Sequence, residues 1–255
     1  MTRRVDGSRS RLDRTFVKLA IFDIDGTLLN NLACEDACFT QALSEVLALP
    51  ALNDDWATYR HVSDVGIATE AYRLAYGSDP TPQLLDATIT RFVELLAVTH
   101  GTEQIARVAG AEHLFTALPR HGWAVALATG AWHRAAAFKL AAASLSCDNV
   151  PMATAEDGPA RTDIVQRARI RAEAHHGSRF ERVVSIGDGV WDAHTAQALC
   201  LPFVGVGSGV RAGRLRAAGA SIVLADFADL ADTLSALEQA GEPCGAVPSR
   251  GLLPT

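Results

Sequence analysis

Apolar residues run along this chain in short unbroken stretches rather than in strict alternation. Val17–Phe22, Trp123–Ala128, Arg182–Ile186, Phe203–Val206 and Ser221–Leu224 are such stretches, each bounded by turn-forming or charged residues. Continuous apolar runs between turn signals predict strands buried on both faces, as in a parallel sheet. A weaker run surrounds Asn149–Ala153. Helical patterns fill the intervals, for example Ala135–Ser144, Asp163–His175 and Asp192–Leu199. Strand and helix in alternation predict an open α/β sheet.

Residues 31–110 break that alternation. They carry no convincing strand pattern and read as three or four amphipathic helices: Asn31–Leu49, Asp54–Tyr76 with a break near Gly66, and Pro82–His100. Pro50, Pro80 and Pro82 punctuate them, as expected where helices start and stop. The organisation expected is a core of residues 16–30 and 111–240 with an all-helical insertion at 31–110. Arg3, Arg4, Arg9, Arg11 and Arg14 make 1–15 a disordered basic tail, and the Gly- and Pro-rich 241–255 a loose C-terminal one. No apolar segment follows the basic start, so it does not read as a secretory signal.

Composition narrows the classes. Of 255 residues, 49% are hydrophobic and 20% charged, enough for a substantial core. A net charge of −6 argues against a nucleic-acid or anionic-membrane partner. No apolar run reaches the roughly eighteen residues of a membrane span. Five cysteines, Cys34, Cys38, Cys147, Cys200 and Cys244, without a secretory signal fit a reducing, cytoplasmic setting and free thiols. Cys34 and Cys38 could share a helix face, and small buried thiols are the expected reading for the set.

The candidate chemistry gathers at strand ends, where open α/β sheets place their ligands. Asp23 and Asp25 end the first strand in "KLAIFDIDGTLL", and Thr129 and Gly130 end "VALATG". Arg161 opens the helix after the weak strand, and Asp188 and Asp192 follow the fourth in "VVSIGDGVWD". Crowded buried carboxylates repel one another. A hard divalent cation such as Mg²⁺, which prefers oxygen ligands, removes that conflict. One carboxylate can serve as nucleophile and another as general acid/base. Thr129, Arg161 and loop N–H groups can neutralise a transferring phosphoryl group. The plain alternatives are an Asp-Gly-Thr turn at Asp23–Thr27, a strand-end hydroxyl at Thr129, and a helix N-cap at Asp192.

"DIDGTLL", "ALATG", a basic residue at a helix start and "GDGVWD", in that order, resemble the four motifs of the haloacid dehalogenase superfamily, in particular its capped, phosphoglycolate phosphatase-like members. The resemblance spans about Val17 to Leu230 and implies a Rossmann-like parallel sheet core with an inserted all-helical cap domain. It implies Asp23 as nucleophile and metal ligand. Asp25 becomes general acid/base, with its backbone carbonyl on the metal. Ile24, Thr129, Gly130 and Arg161 become phosphate-binding, Asp188 a metal ligand, and Asp192 a ligand or its support. Arg161 stands where members more often have Lys, which keeps the charge and changes the geometry. Lys139, in "AAAFKL", is the rival cation, although its mid-helix place reads as a solvated or interface lysine. Asp25 points within the family to phosphate-ester hydrolysis or to a phosphomutase.

The function expected is a Mg²⁺-dependent phosphatase that acts on a small phosphorylated metabolite through an aspartyl-phosphate, as monomer or homodimer. A sugar phosphomutase and a non-catalytic metabolite-binding member are the alternatives. In the insertion, His61–Ile67 with Ser63 and Asp64 is a candidate substrate loop, or an ordinary helix connection with an N-cap. Trp132, Trp191, His133 and His194 lie near the strand ends and read as cleft lining or as packing.

Overall fold

The computed structural model describes residues 18–30, 32–49, 51–101 and 105–243. The expected tail at 1–15, most of the C-terminal tail, Val17 and Cys244 lie outside them. Six strands form one sheet among the described residues: β1 (Lys18–Phe22), β2 (Trp123–Ala128), β3 (Met152–Ala153), β4 (Arg182–Gly187), β5 (Phe203–Val206) and β6 (Ile222–Leu224). Their order is β3-β2-β1-β4-β5-β6 and every pair is parallel. The chain is thus an α/β protein with a Rossmann-like sheet. The weak stretch at 149–153 supplies only the two-residue edge strand β3.

The unbroken apolar runs have the cause expected of them, because both faces of the sheet are covered. Leu19 and Ile21 of β1 pack with Ala124, Ala126 and Val183 against Ile164, Ala168 and Ala172 of α6 (Arg161–His176). Ala20 and Phe22 face the other way. They join Trp123, Val125, Leu127 and Ile186, under Leu114 and Leu118 of α4 (Ala111–Arg120) and Ala136 and Leu140 of α5 (His133–Ala142). Ile21 and Phe22 are essentially without exposure, and each such side chain contributes about 1.5–3 kcal/mol of burial. Further along the chain, α7 (Val190–Ala198) and α8 (Gly209–Ala217) pack with Phe203 of β5, while Ala236 and Leu237 of α9 (Leu230–Gln239) join the cluster of Phe22.

Between β1 and α4 lie α1 (Leu32–Leu47), α2 (Asp64–Tyr76) and α3 (Pro82–His100). Thr81 caps α3 by accepting from the Leu84 N–H at 3.2 Å, with Pro82 at its start, the arrangement in which a missing N–H costs nothing. Phe39, Ala42, Leu43, Ile67, Phe92 and Leu96 bury one another in a second apolar cluster, into which the core contributes Trp132 and Ala135. Trp132 is therefore a packing residue, 1% exposed.

Two local expectations change. The break near Gly66 lies earlier: Trp56–Thr58 make a single 3₁₀ turn and α2 begins at Asp64. Gly66 sits within α2, where a Cβ would come within 2.6 Å of the His61 carbonyl and 2.7 Å of its Cβ. The glycine admits the incoming loop rather than ending a helix. Of the four described cysteines only Cys38 is buried; Cys34 and Cys147 are half-buried and Cys200 is exposed. Cys200 follows the last turn of α7 with a positive φ of 52°, at a turn that faces solvent.

Candidate functional site

Strand register assembles the site. Phe22 pairs with Leu127 on one side and Ile186 on the other, so the residues that follow each strand leave the sheet side by side. The Asp23 N–H donates to the Ile186 carbonyl at 2.9 Å, and Thr129 N–H to the Ala153 carbonyl at 3.1 Å. Asp23, Thr129 and Asp188 thereby meet at one edge although more than a hundred residues separate the first from the second.

Asp23, Asp188 and Asp192 each offer an oxygen within 4.8 Å of the others, and all three are buried. Burial, then the Asp192 charge, raises the Asp23 carboxyl well above its ordinary range. Burial and Asp192 likewise push Asp188 up to about 7. Asp192 is raised by burial too, against the lowering effect of Arg161. Three buried carboxylates that resist ionisation fit a hard divalent cation, which would supply the charge their ionised forms lack. Gly26, at φ +80°, is what lets the first loop close on the cluster, because a Cβ there would overlap the Asp188 carboxylate.

The two rival cations take separate places. Arg161 Nη1 donates to Asp23 Oδ1 at 3.2 Å and to Asp192 Oδ1 at 2.8 Å. Its Nε donates to the Val62 carbonyl at 2.7 Å, and its guanidinium lies 5.7 Å from the Trp191 ring centroid. Lys139 instead donates to Asp25 Oδ2 at 2.6 Å and to Glu35 Oε1. It has no exposure at all, so the solvated or interface lysine expected at this position is corrected. Asp25 and Glu35 offset the cost of burying its ammonium. Burial alone would lower the Lys139 pKa; the two carboxylates outweigh it and raise it.

Asp25 consequently turns away from the metal-type cluster, and any share it takes there falls to its backbone carbonyl. Its Oδ1 and Glu35 Oε2 are buried and take no hydrogen bond from a protein donor. Burial and the adjoining Asp25 carboxyl hold Glu35 well above the usual carboxylate range.

The remaining residues fall around this centre. Thr129 is 1% exposed and its hydroxyl accepts from the Ala131 N–H at 3.0 Å. A Cβ on Gly130 would come within 2.7 Å of Arg161 Nη2 and 3.1 Å of the Val62 carbonyl, so glycine is required where these two pass. The Ile24 side chain is fully buried, which leaves only its backbone for the site. The plain alternative for Asp192, a helix N-cap, does not hold: Gly189 takes that position, and Asp192 reaches back from the third helical residue to accept the Gly189 N–H at 3.0 Å. His133 is exposed, with its N–H donating to Glu156 at 2.9 Å, and His194 is half-buried.

The insertion closes over the centre through the loop singled out in the sequence. Asp64 N–H donates to the Gly130 carbonyl at 2.8 Å, and Asp64 Oδ2 accepts from the Trp132 N–H at 2.9 Å. Ser63 Oγ donates to the Pro159 carbonyl at 2.7 Å and also caps α2 through the Gly66 N–H at 3.2 Å. Connection and site contact are therefore both true of this loop. A cavity of about 530 Å³ opens between insertion and sheet edge, lined by Asp25, Thr129, Arg161, Asp188 and Trp191 below and by Phe39, Trp56 and Asp64 above.

Sequence reasoning missed Glu35 and Arg211, and although Val62 lies in the candidate loop His61–Ile67, its carbonyl was not singled out. Arg211 Nη1, at the start of α8, lies 3.3 Å from Asp188 Oδ2. A single charge inside the apolar run "AAAFKLAAA" was the available signal that Lys139 is buried and hence paired. Nothing local marks Glu35 or a backbone carbonyl.

Among solved structures, a hydrolase from Pseudomonas syringae superposes with a TM-score of 0.65 at 22% identity, over 86% of this chain and 98% of that one. A protein from Bacteroides vulgatus, described provisionally as a β-phosphoglucomutase, gives 0.62 at 16% identity, over 87% and 89%. A protein from Haemophilus somnus 129PT, assigned by prediction as a phosphoglycolate phosphatase, gives 0.57 at 18% identity, over 86% and 99%. At such identities the likeness is one of fold. No curated protein matches the chain. The model of the haloacid dehalogenase-like hydrolases matches residues 17–199; carrying that family's motifs on one sheet edge, the chain belongs to it and is a hydrolase.

Proposed function

We propose that this hydrolase is a Mg²⁺-dependent phosphatase that cleaves a small phosphorylated metabolite through an aspartyl-phosphate at Asp23. One observation carries the reading. A buried carboxylate, Asp23, is gripped by Arg161 and crowded by Asp188 and Asp192, while a second, Asp25, lines the adjoining cavity.

Each residue then has a task. Asp23 attacks phosphorus, forming one P–O bond as the ester P–O bond breaks. Arg161, held by Asp192 and the Val62 carbonyl, neutralises charge on the transferring group. Thr129 and the backbone at Ile24 and Gly130 hold its other oxygens. Asp25 gives a proton to the departing oxygen and takes one from the water that frees Asp23. Asp23, Asp188, the Asp25 carbonyl and Asp192 would hold the cation. When bound, it supplies positive charge to the carboxylates and to the phosphoryl oxygens. Residues 31–110 act as a cap that keeps bulk water from the centre. A cavity of about 530 Å³ beneath the insertion suits a small substrate better than a macromolecule.

A panel of phosphate esters, run with Mg²⁺ and with EDTA, tests this. The expected result is metal-dependent release of inorganic phosphate, abolished in Asp23→Asn with the circular dichroism and melting temperature preserved. Metal-independent turnover, or wild-type turnover in Asp23→Asn, contradicts it. Isomerised sugar phosphate in place of free phosphate would identify a phosphomutase.

A further inference from the structure

The pair Lys139 and Glu35 is left over by the reading above: neither belongs to the acidic cluster, and no motif includes them. Yet Lys139 is one of the largest fully buried side chains in the described residues. It bridges three segments: α5, which carries it, the loop after β1, through Asp25 Oδ2 at 2.6 Å, and α1, through Glu35 Oε1. Burying an ammonium among apolar side chains is costly unless it is paired and hydrogen-bonded. Simple packing at this position would need only an alanine or a leucine of the kind that surrounds it.

From this geometry, and resting on the phosphatase reading, we infer that Lys139 and Glu35 are positioning residues for Asp25. They clamp its carboxyl at the cavity edge so that it can protonate the departing oxygen of a poor leaving group. Arg161 holds Asp23 and Asp192, and Arg211 lies beside Asp188; the cation that anchors Asp25 is Lys139. A general acid has to lie within hydrogen-bond reach of the atom it protonates, and an unclamped Asp side chain divides its time among rotamers. Because Glu35 lies on α1, the clamp also ties the aim of Asp25 to the seating of the insertion.

Leaving-group demand separates positioning from mere structural support. The probes are p-nitrophenyl phosphate, whose nitrophenolate departs without a proton, and phenyl phosphate, nearly the same in shape, whose phenol resembles the tyrosine side chain of pKa about 10 and departs better when protonated. Lys139→Met is expected to lower kcat/KM, which reports aspartyl-phosphate formation and not the later water attack that Asp25 also assists, by about tenfold more on phenyl phosphate than on p-nitrophenyl phosphate. Lys139→Arg should recover part of that loss. Should Lys139→Met fail to fold because two carboxylates are stranded, the double variant Lys139→Met/Glu35→Gln removes one charge of each sign and is expected to show the same selective loss. Equal losses on the two esters, or none on either, overturn the inference. Its failure is distinct from failure of the phosphatase reading: an inactive Asp23→Asn beside an unselective Lys139→Met removes only the positioning role, whereas an active Asp23→Asn removes both.

Discussion

Asp64 carries two loads, a structural link to Gly130 and Trp132 and a carboxyl that burial pushes up to about 7. A carboxyl whose folded pKa lies above its unfolded value binds its proton more tightly in the folded state. The stability it contributes is whole below the unfolded value near 4, falls as pH rises, and levels off above about 7. Asp64→Asn keeps an oxygen for the Trp132 N–H and removes the ionisation. Relative to wild type, the variant should gain stability between pH 5 and pH 8 by about 1 kcal/mol, a figure discounted for the partial exposure of the group. Denaturant melts at the two pH values check this, and parallel pH profiles for the two proteins contradict it. The same scale explains why the sequence could favour Arg161 over Lys139 without placing either. Both lie near helix starts or middles, and only the partners, Asp23 and Asp192 for one, Asp25 and Glu35 for the other, separate them.

Among elements, the turn after β1 is the narrowest passage. Gly26→Ala puts an L side chain at φ +80° against the Asp188 carboxylate. The backbone cost alone is about 1–2 kcal/mol, so a melting temperature several degrees lower is expected, with metal-dependent turnover down by at least about tenfold. Thermal melts and p-nitrophenyl phosphate turnover check it; wild-type behaviour in both would show that the loop has room to spare. The parallel strands were legible because burial on both faces forbids alternation, and β2 and β5 run as read. α3 was legible for another reason: Thr81, Pro82 and Gly101 mark its ends by local chemistry. The start of α2 was not. There the glycine signal at Gly66 reflects a close approach to His61, a tertiary cause that no local pattern carries. Likewise the four strand ends could be named from sequence because their register follows from the sheet, whereas Glu35 and Val62 arrive from the insertion, whose docking is set by side-chain packing.

Taken whole, the molecule concentrates buried acids where the loops after its first four strands meet. The acids of the first and fourth loops are raised by burial and by one another, and two guanidinium groups, Arg161 and Arg211, answer only part of that repulsion. The insertion is fastened over the same point by Ser63, Asp64 and Val62, so the short loop that closes the cavity also holds Arg161, through the Val62 carbonyl. No helix of the described residues is long and apolar enough to cross a membrane. The account stands or falls on where phosphate rests during turnover. Enzyme turning over p-nitrophenyl phosphate with Mg²⁺ can be quenched in acid and treated with borohydride, which reduces an aspartyl-phosphate to homoserine, and the modified residue located by peptide mass spectrometry. Homoserine at position 23, absent without substrate, is the predicted result. Steady turnover with no reduced residue at 23, or with the label on another side chain, would contradict the account.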